Sequence, residues 1–282
     1  MSRWIEVAVG VETSGELAIV EAAASAYALR GTAIQSDPPM LRAWFSEDER
    51  AGVEAMSAAI VAALPQARTT ATSIEDAGWS EAWREHFHAQ HIGGIAIVPS
   101  WERETFADAV RAIVEIDPGQ AFGTGLHPTT RGVLLALQEL DLDGCTVTDV
   151  GTGSGILALA VARLGARRVH ACDIDPVAVR AARENVRRNG LESRVHVARC
   201  SADLSGVPSA RIVTANLTAG IALALARALR ALVEPAGTLL LAGIVGARER
   251  EVLQAFEPLG FTVRARRAEG EWVGLALGVP AA

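Results

Sequence analysis

The sequence predicts an α/β protein, in which a parallel sheet with helices on both faces follows a smaller α+β domain. Three observations lead there. From about residue 106, short apolar runs alternate with alanine-rich helical stretches, as parallel strands joined by helices require. A glycine cluster, Gly151-Thr152-Gly153-Ser154-Gly155, stands where one of those strands turns into a helix. Before residue 75 the elements follow a different order, strand-helix-strand-strand-helix-strand, which is the ferredoxin-like arrangement. The expected divisions are 1–75, a connector at 76–105, and 106–282.

In the first part, Trp4 to Val9 alternates apolar and polar residues with the period of a strand. Leu17 to Leu29 is alanine-rich and reads as a helix. Ala33 to Gln35 and Leu41 to Phe45 read as short strands on either side of Asp37-Pro38-Pro39. Ser46-Glu47-Asp48-Glu49 then has the form of a helix start, with Ser46 as cap and Glu49 at the capping-box position. That helix runs to about Leu64 and is stopped by Pro65; Thr69 to Ile74 completes the set as a strand. In the connector, Trp79, Trp83 and Phe87 recur at four-residue spacing, an aromatic stripe suited to core packing. Ile95 to Val98 follows as a strand ending at Pro99-Ser100-Trp101.

The larger domain has candidate strands at Thr146 to Val150, Val169 to Cys172, Val195 to Ala198, Ile212 to Ala215 and Thr238 to Ala242. Helices are expected at Gly155 to Leu164, Pro176 to Arg188 and Ala219 to Val233. Phe261 to Arg267 and Trp272 to Leu277 suit an antiparallel edge hairpin. Arg180, Arg183, Arg187 and Arg188 read as the solvated face of a helix.

Composition narrows the function. Half of the 282 residues are apolar, and the net charge is -7. That charge suits non-specific nucleic-acid binding poorly, so no direct nucleic-acid contact is expected and the partner is basic or small. All 26 basic residues are arginine. No lysine side chain of the protein can therefore act as its own amine acceptor. Cys145, Cys172 and Cys200 lack paired metal-ligand spacing and suit reduced thiols in a cytoplasmic protein, with no metal site. The most apolar stretch, Ile212 to Ala226, is shorter than the about 20 residues a membrane span needs. Neither a signal peptide nor a membrane association is expected.

Three segments carry chemistry. Asp149-Val150-Gly151-Thr152-Gly153-Ser154-Gly155 lets backbone approach a ligand at a helix N-terminus. A dinucleotide fingerprint requires a third glycine at the position held by Ile156, so the spacing departs from the nicotinamide pattern. Asp173 ends the next strand, 22 residues after Gly151, where a carboxylate accepts ribose hydroxyls and repels a 2′-phosphate. Asp175 is better placed than Asp173 to cap the helix at Pro176. The second segment, Asp117 to Thr130 (DPGQAFGTGLHPTT), is a shaped loop. Thr129 and Thr130 can cap the helix that follows or turn a hydroxyl to the cofactor, and His127 suits a structural hydrogen bond better than proton transfer. Third, Asn216 stands at a strand C-terminus, where ligands of open α/β sheets bind, and its side-chain oxygen can orient an amine.

Together these segments resemble the bacterial ribosomal protein methyltransferases that act on large-subunit protein eleven. That family carries a near-identical DPG-AFGTG-HPTT loop. WSEAWREHF with PSW, DVGTGSGILALA, DIDP, the Asn216 segment and EGEW match as well. The resemblance implies a class I methyltransferase Rossmann-like domain using S-adenosylmethionine, with cofactor contacts at Thr130, Gly151, Asp173 and Asn216. It also implies that the N-terminal domain grips the ribosomal protein while the larger domain methylates its amino groups. Leu126 replaces a usual threonine, His88-Ala89 a common lysine-proline pair, and Leu217-Thr218 the usual Ile/Leu-Leu. Asn216 is the expected amine-orienting residue. Other readings are a methyltransferase for another lysine-bearing protein or a small amine, a non-catalytic S-adenosylmethionine-binding module, and an NAD-dependent oxidoreductase, which the glycine spacing disfavours.

Overall fold

The computed structural model describes residues 3–24, 27, 31–36, 38–75, 88–106, 108–117 and 127–281. The described residues divide into two units, the first ending at His88 and the second beginning at Ala89. The residues after Ala89 that the sequence reading placed in a connector, including the Ile95–Val98 strand, fall in the second unit. The aromatic stripe of Trp79, Trp83 and Phe87 lies outside the described residues.

The first unit contains β1 (Arg3–Gly10), α1 (Ser14–Ala24), β2 (Gly31–Ser36), β3 (Pro39–Ser46), α2 (Arg50–Ala63) and β4 (Arg68–Glu75). Its sheet has the order β2-β3-β1-β4 with every pairing antiparallel, the ferredoxin-like topology. Period-two alternation puts Ile5, Val7 and Val9 of β1 and Leu41, Ala43 and Phe45 of β3 on one buried face. Val53, Met56 and Ile60 of α2 cover it at i, i+3 and i+7. Helix α1 starts before the expected Leu17 because Thr13 and Glu16 form a capping box: Glu16 N–H donates to Thr13 Oγ1 (3.2 Å) and Thr13 N–H to Glu16 Oε2 (3.1 Å). At the second helix, Glu49 accepts from Ser46 N–H at 3.0 Å, as the capping-box pattern anticipates; a 3-10 turn at Glu47–Glu49 precedes α2.

The second unit opens with β5 (Gln90–Ile92), β6 (Ile95–Val98) and β7 (Ala112–Glu115), a small sheet in which β6 is antiparallel to β5 and parallel to β7. Next come α3 (Pro128–Leu137), β8 (Thr146–Val150), α4 (Ile156–Arg163), β9 (Arg168–Asp173), α5 (Pro176–Arg188) and β10 (Val195–Arg199). The chain ends with β11 (Ala210–Asn216), α6 (Ala219–Leu232), β12 (Val233–Val245), α7 (Glu249–Phe256), β13 (Thr262–Glu269) and β14 (Trp272–Gly278). Seven strands form one sheet in the order β10-β9-β8-β11-β12-β14-β13. The first five are mutually parallel, while β14 runs antiparallel to β12 and β13 antiparallel to β14. The expected terminal hairpin is present, with β13 outermost.

Every residue of α4 from Ile156 to Ala162 is buried. A helix apolar on all sides needs cover on all sides. It lies in one cluster with Val147 and Val169 of the large sheet and with Ile95, Ile97 and Val114 of the small one. The small sheet thus shields the side of α4 that would otherwise meet water. Sequence periodicity gave no sign of β5, β7 or α7, which are three, four and eight residues long.

Candidate active site

The strand order reverses between β8 and β11. From β8 the chain steps outward to β9 and β10, then returns to lay β11 on the other side of β8. Ligands of open α/β sheets bind in the crevice at the C-terminal strand ends of such a switch point. The glycine loop leaves β8 here, and Asn216 ends β11 beside it.

The loop conformation demands glycine. Gly151, Gly153 and Gly155 have φ of 69°, 54° and 86°. A Cβ at Gly151 would stand 2.5 Å from Leu217 Cδ2, and one at Gly155 would press on Ala182 of α5 at 3.3 Å. Gly151 and Thr152 both donate N–H to the Cys172 carbonyl, which ties the loop to the end of β9.

Asp149, at the loop's start, is fully buried. Its Oδ2 accepts from Thr152 Oγ1 (2.6 Å) and its Oδ1 from Thr214 Oγ1 (2.5 Å). One carboxylate therefore bonds both the glycine loop and the strand that carries Asn216. Burial pushes its pKa up to about 6, against the lowering effect of the two hydroxyls.

Asp173 is half-buried at the end of β9. Its Oδ2 accepts from Gly153 N–H and its Oδ1 from Asp175 N–H, both at 3.0 Å. A carboxylate has about four acceptor sites, so two are left for a ribose diol. The cap of α5 is Asp175, whose side chain accepts from Val177 N–H at 2.8 Å, as expected.

Asn216 and Thr130, 86 residues apart, meet: Asn216 Nδ2 donates to Thr130 Oγ1 at 3.3 Å. This bond uses one N–H of the amide, whose oxygen is an acceptor. Thr130 is buried in the first turn of α3, not at its cap. The cap is His127: its Nδ1 accepts Thr129 N–H at 3.3 Å, and its ring meets Trp272 edge-on at 4.7 Å. Burial lowers the His127 pKa, so the ring is a neutral structural acceptor near pH 7. Gly243, with φ of 85°, admits the Leu217 carbonyl where a Cβ would collide with it.

A family model described as ribosomal protein L11 methyltransferase (PrmA) matches residues 6–278. The chain belongs to the ribosomal protein L11 methyltransferase family. A relative of that name from Geobacter metallireducens is 44% identical over 204 residues, 72% of this chain and 67% of its own length. Another from Bacillus cytotoxicus is 39% identical over 208 residues, 73% of this chain and 66% of its own. The match thus spans about two thirds of these relatives' length. A crystal structure of a ribosomal protein L11 methylase from Lactobacillus delbrueckii subsp. bulgaricus superposes with a TM-score of 0.64 and 32% identity, covering 69% of this chain and 100% of that one.

As a member of the L11 methyltransferase family, the chain has the class I methyltransferase fold in its second unit. Of the expected cofactor contacts, Gly151, Asp173, Thr130 and Asn216 all lie at the C-terminal edge of the sheet or on the first turn of α3. The glycine turn and the acceptor sites left on Asp173 fit the ribose of S-adenosylmethionine. Pro118 to Leu126, including the Leu126 departure, lies outside the described residues. Sequence reasoning missed three sets of contacts made by these segments. The role of Asp149 as a bridge to Thr214 had no local signal. Asn185 of α5 donates to the Ser154 carbonyl at 2.9 Å. Asp117 accepts from Ser100 N–H at 2.7 Å and from Ser100 Oγ at 3.0 Å. Both Ser100 and Asp117 fall within motifs quoted for the family, yet neither motif shows that they touch.

Proposed function

We propose that this chain transfers methyl groups from S-adenosylmethionine to amino groups, lysine side chains or an N-terminal amine, of ribosomal protein L11 in the cytoplasm. The observation that carries the reading is the Asn216–Thr130 pair, set at the switch point beside the glycine loop. S-adenosylmethionine supplies an already activated sulfonium methyl, so the protein's task is alignment of donor and acceptor. Asp173 takes the ribose hydroxyls, and the N–H-lined turn from Gly151 to Gly155 takes the adjacent part of the ligand. Thr130 holds the amide of Asn216 so that its oxygen faces an incoming amine and orients the nitrogen lone pair. A lysine amine has an ordinary pKa of about 10.4 and must lose a proton before attack, which a partly dry crevice favours. Among the described residues no helix is long and apolar enough to cross a membrane, and no cluster of metal-ligating side chains occurs.

The decisive experiment incubates the full chain with labelled S-adenosylmethionine and ribosomal proteins lacking the modification. Because the chain contains no lysine, it cannot label its own side-chain amines. Label on L11 alone, with mass gains of whole methyl units, is the expected result. Label on another protein or a small amine keeps the chemistry and discards the substrate. Cofactor binding with no label anywhere points to a non-catalytic binding module. Asn216→Ala should lower turnover at saturating substrates by about 100-fold, a cost typical of losing acceptor alignment; full turnover would remove Asn216 from this role.

A further inference from the structure

Helix α5 grips two separate motifs of the second unit. Near its middle, Ala182 packs against Gly155, and Asn185 Nδ2 donates to the Ser154 carbonyl, so the helix holds the glycine loop. One turn later the grip passes to the strand before the DPG motif. Asn189 accepts Glu115 N–H at 2.9 Å and donates to the Glu115 carbonyl at 2.7 Å, pairing with that backbone as a neighbouring strand would. The same Asn189 donates back to the Asn185 carbonyl at 2.9 Å, which joins the two grips. Residues 182, 185 and 189 lie on one helix face.

Arg188 completes the arrangement. Its guanidinium donates to Asp117 Oδ2 at 2.6 Å, with Nε 3.7 Å from Glu115 Oε1. The Asp117 carboxylate, already bonded by the Ser100 N–H and hydroxyl, thereby takes three donors from two distant parts of the chain. Arg188 lies on the solvated face of the helix with Arg180, Arg183 and Arg187, yet its guanidinium is held by Asp117. An ion pair this open to solvent adds little to stability. What it fixes is a position, since the planar guanidinium holds its carboxylate in one direction.

We propose that Arg188 is a positioning residue for cofactor binding: by holding Asp117, just after β7, it ties the end of that strand to the helix that holds the glycine loop. The inference rests on the S-adenosylmethionine reading of the site. Arg188 acts through Asp117 and has no direct part in methyl transfer.

The test uses the full chain with Arg188→Met, Arg188→Lys, Asp117→Asn and the Arg188→Met/Asp117→Asn double variant. Affinity for S-adenosylmethionine is measured by calorimetry, KM and kcat in the transfer assay, and thermal stability in parallel. Arg188→Met should weaken cofactor affinity and raise its KM about tenfold, with kcat within about threefold and Tm within about 2 °C. Arg188→Lys should recover only part of the affinity, because a point charge reaches the carboxylate without the fixed direction of the guanidinium. The double variant should be no worse than the poorer single one. Unchanged affinity in Arg188→Met overturns the proposal, and so does a loss of kcat that merely follows a loss of Tm. A wild-type chain that binds the cofactor but transfers nothing defeats only the transfer reading, because the calorimetric comparison still decides the role of Arg188. A wild-type chain that binds no S-adenosylmethionine defeats both.

Discussion

A buried carboxylate with two hydroxyl donors gives this protein an unusual acid response. Asp149 carries its pKa near 6 in the folded chain because burial disfavours its charge, whereas an unfolded aspartate titrates near about 3.9. Between about pH 4 and pH 6 the folded state therefore binds a proton that the unfolded state does not, and the contribution of this residue to stability rises as the pH falls. The slope is at most about 1.4 kcal/mol per pH unit. Glu249 behaves in the opposite sense. Its hydrogen bond from Arg266 lowers its pKa, so its contribution is present above the unfolded value and is lost as the pH falls through the folded one. Urea unfolding of the wild type and Asp149→Asn at pH 5 and pH 7 checks the sign. The wild type should gain on the variant at pH 5; a difference independent of pH would show that Asp149 titrates normally.

At the scale of elements, β12 shows how one residue shapes a site. Its pairing with β14 shifts register between Leu241 and Ile244, and Gly243 sits in the gap with φ of 85°. Leu217, which follows Asn216, donates its N–H to the Ala242 carbonyl at 2.9 Å and turns its own carbonyl into the space beside Gly243. Gly243→Ala forces both a left-handed alanine and a backbone collision, so it should cost more than about 2 kcal/mol and lower the Tm by about 4 °C or more. Gly144→Ala is the control: φ is 66° but nothing lies within 4 Å, so only the conformational strain remains. Equal losses in thermal scans of the two variants would mean that the close approach at Gly243 is unimportant. Elsewhere the element boundaries were legible where local chemistry marks them. Pro176–Arg188, Thr146–Val150 and Ile95–Val98 match their expected spans because Asp175-Pro176 caps the first and clear apolar runs define the strands. β12 begins at Val233, earlier than the expected Thr238, because Val233 pairs with Ala210 of β11 ahead of a register shift, which no local pattern reveals.

For the whole molecule, the two units have separate apolar cores. Ile5, Leu41, Phe45, Met56 and Ile60 belong to one cluster, and none of its members appears in the two clusters of the second unit. Separate cores predict separable unfolding. Ile60 is completely buried, and Ile60→Ala should cost about 2–5 kcal/mol within the first unit. Differential scanning calorimetry should then show one transition moving down while another stays in place, with S-adenosylmethionine affinity unchanged. A single transition that moves as a whole would show that the units unfold as one cooperative body.

The order of strands and helices, the glycine loop, the acid at the end of β9 and the asparagine at the end of β11 could all be read from residues alone. Each is a local property: apolar period sets the element, and a left-handed turn requires glycine. Family membership followed from the same short motifs. Only the tertiary structure decided which of these residues meet. It set Thr130 against Asn216, Asp149 against Thr214, and Arg188 with Ser100 on Asp117, and it placed β14 inside β13 at the sheet edge. Those pairings depend on strand order and register, which the crossovers and the common core impose on residues far apart in the chain. Local periodicity records which way a side chain faces, and not what stands opposite it.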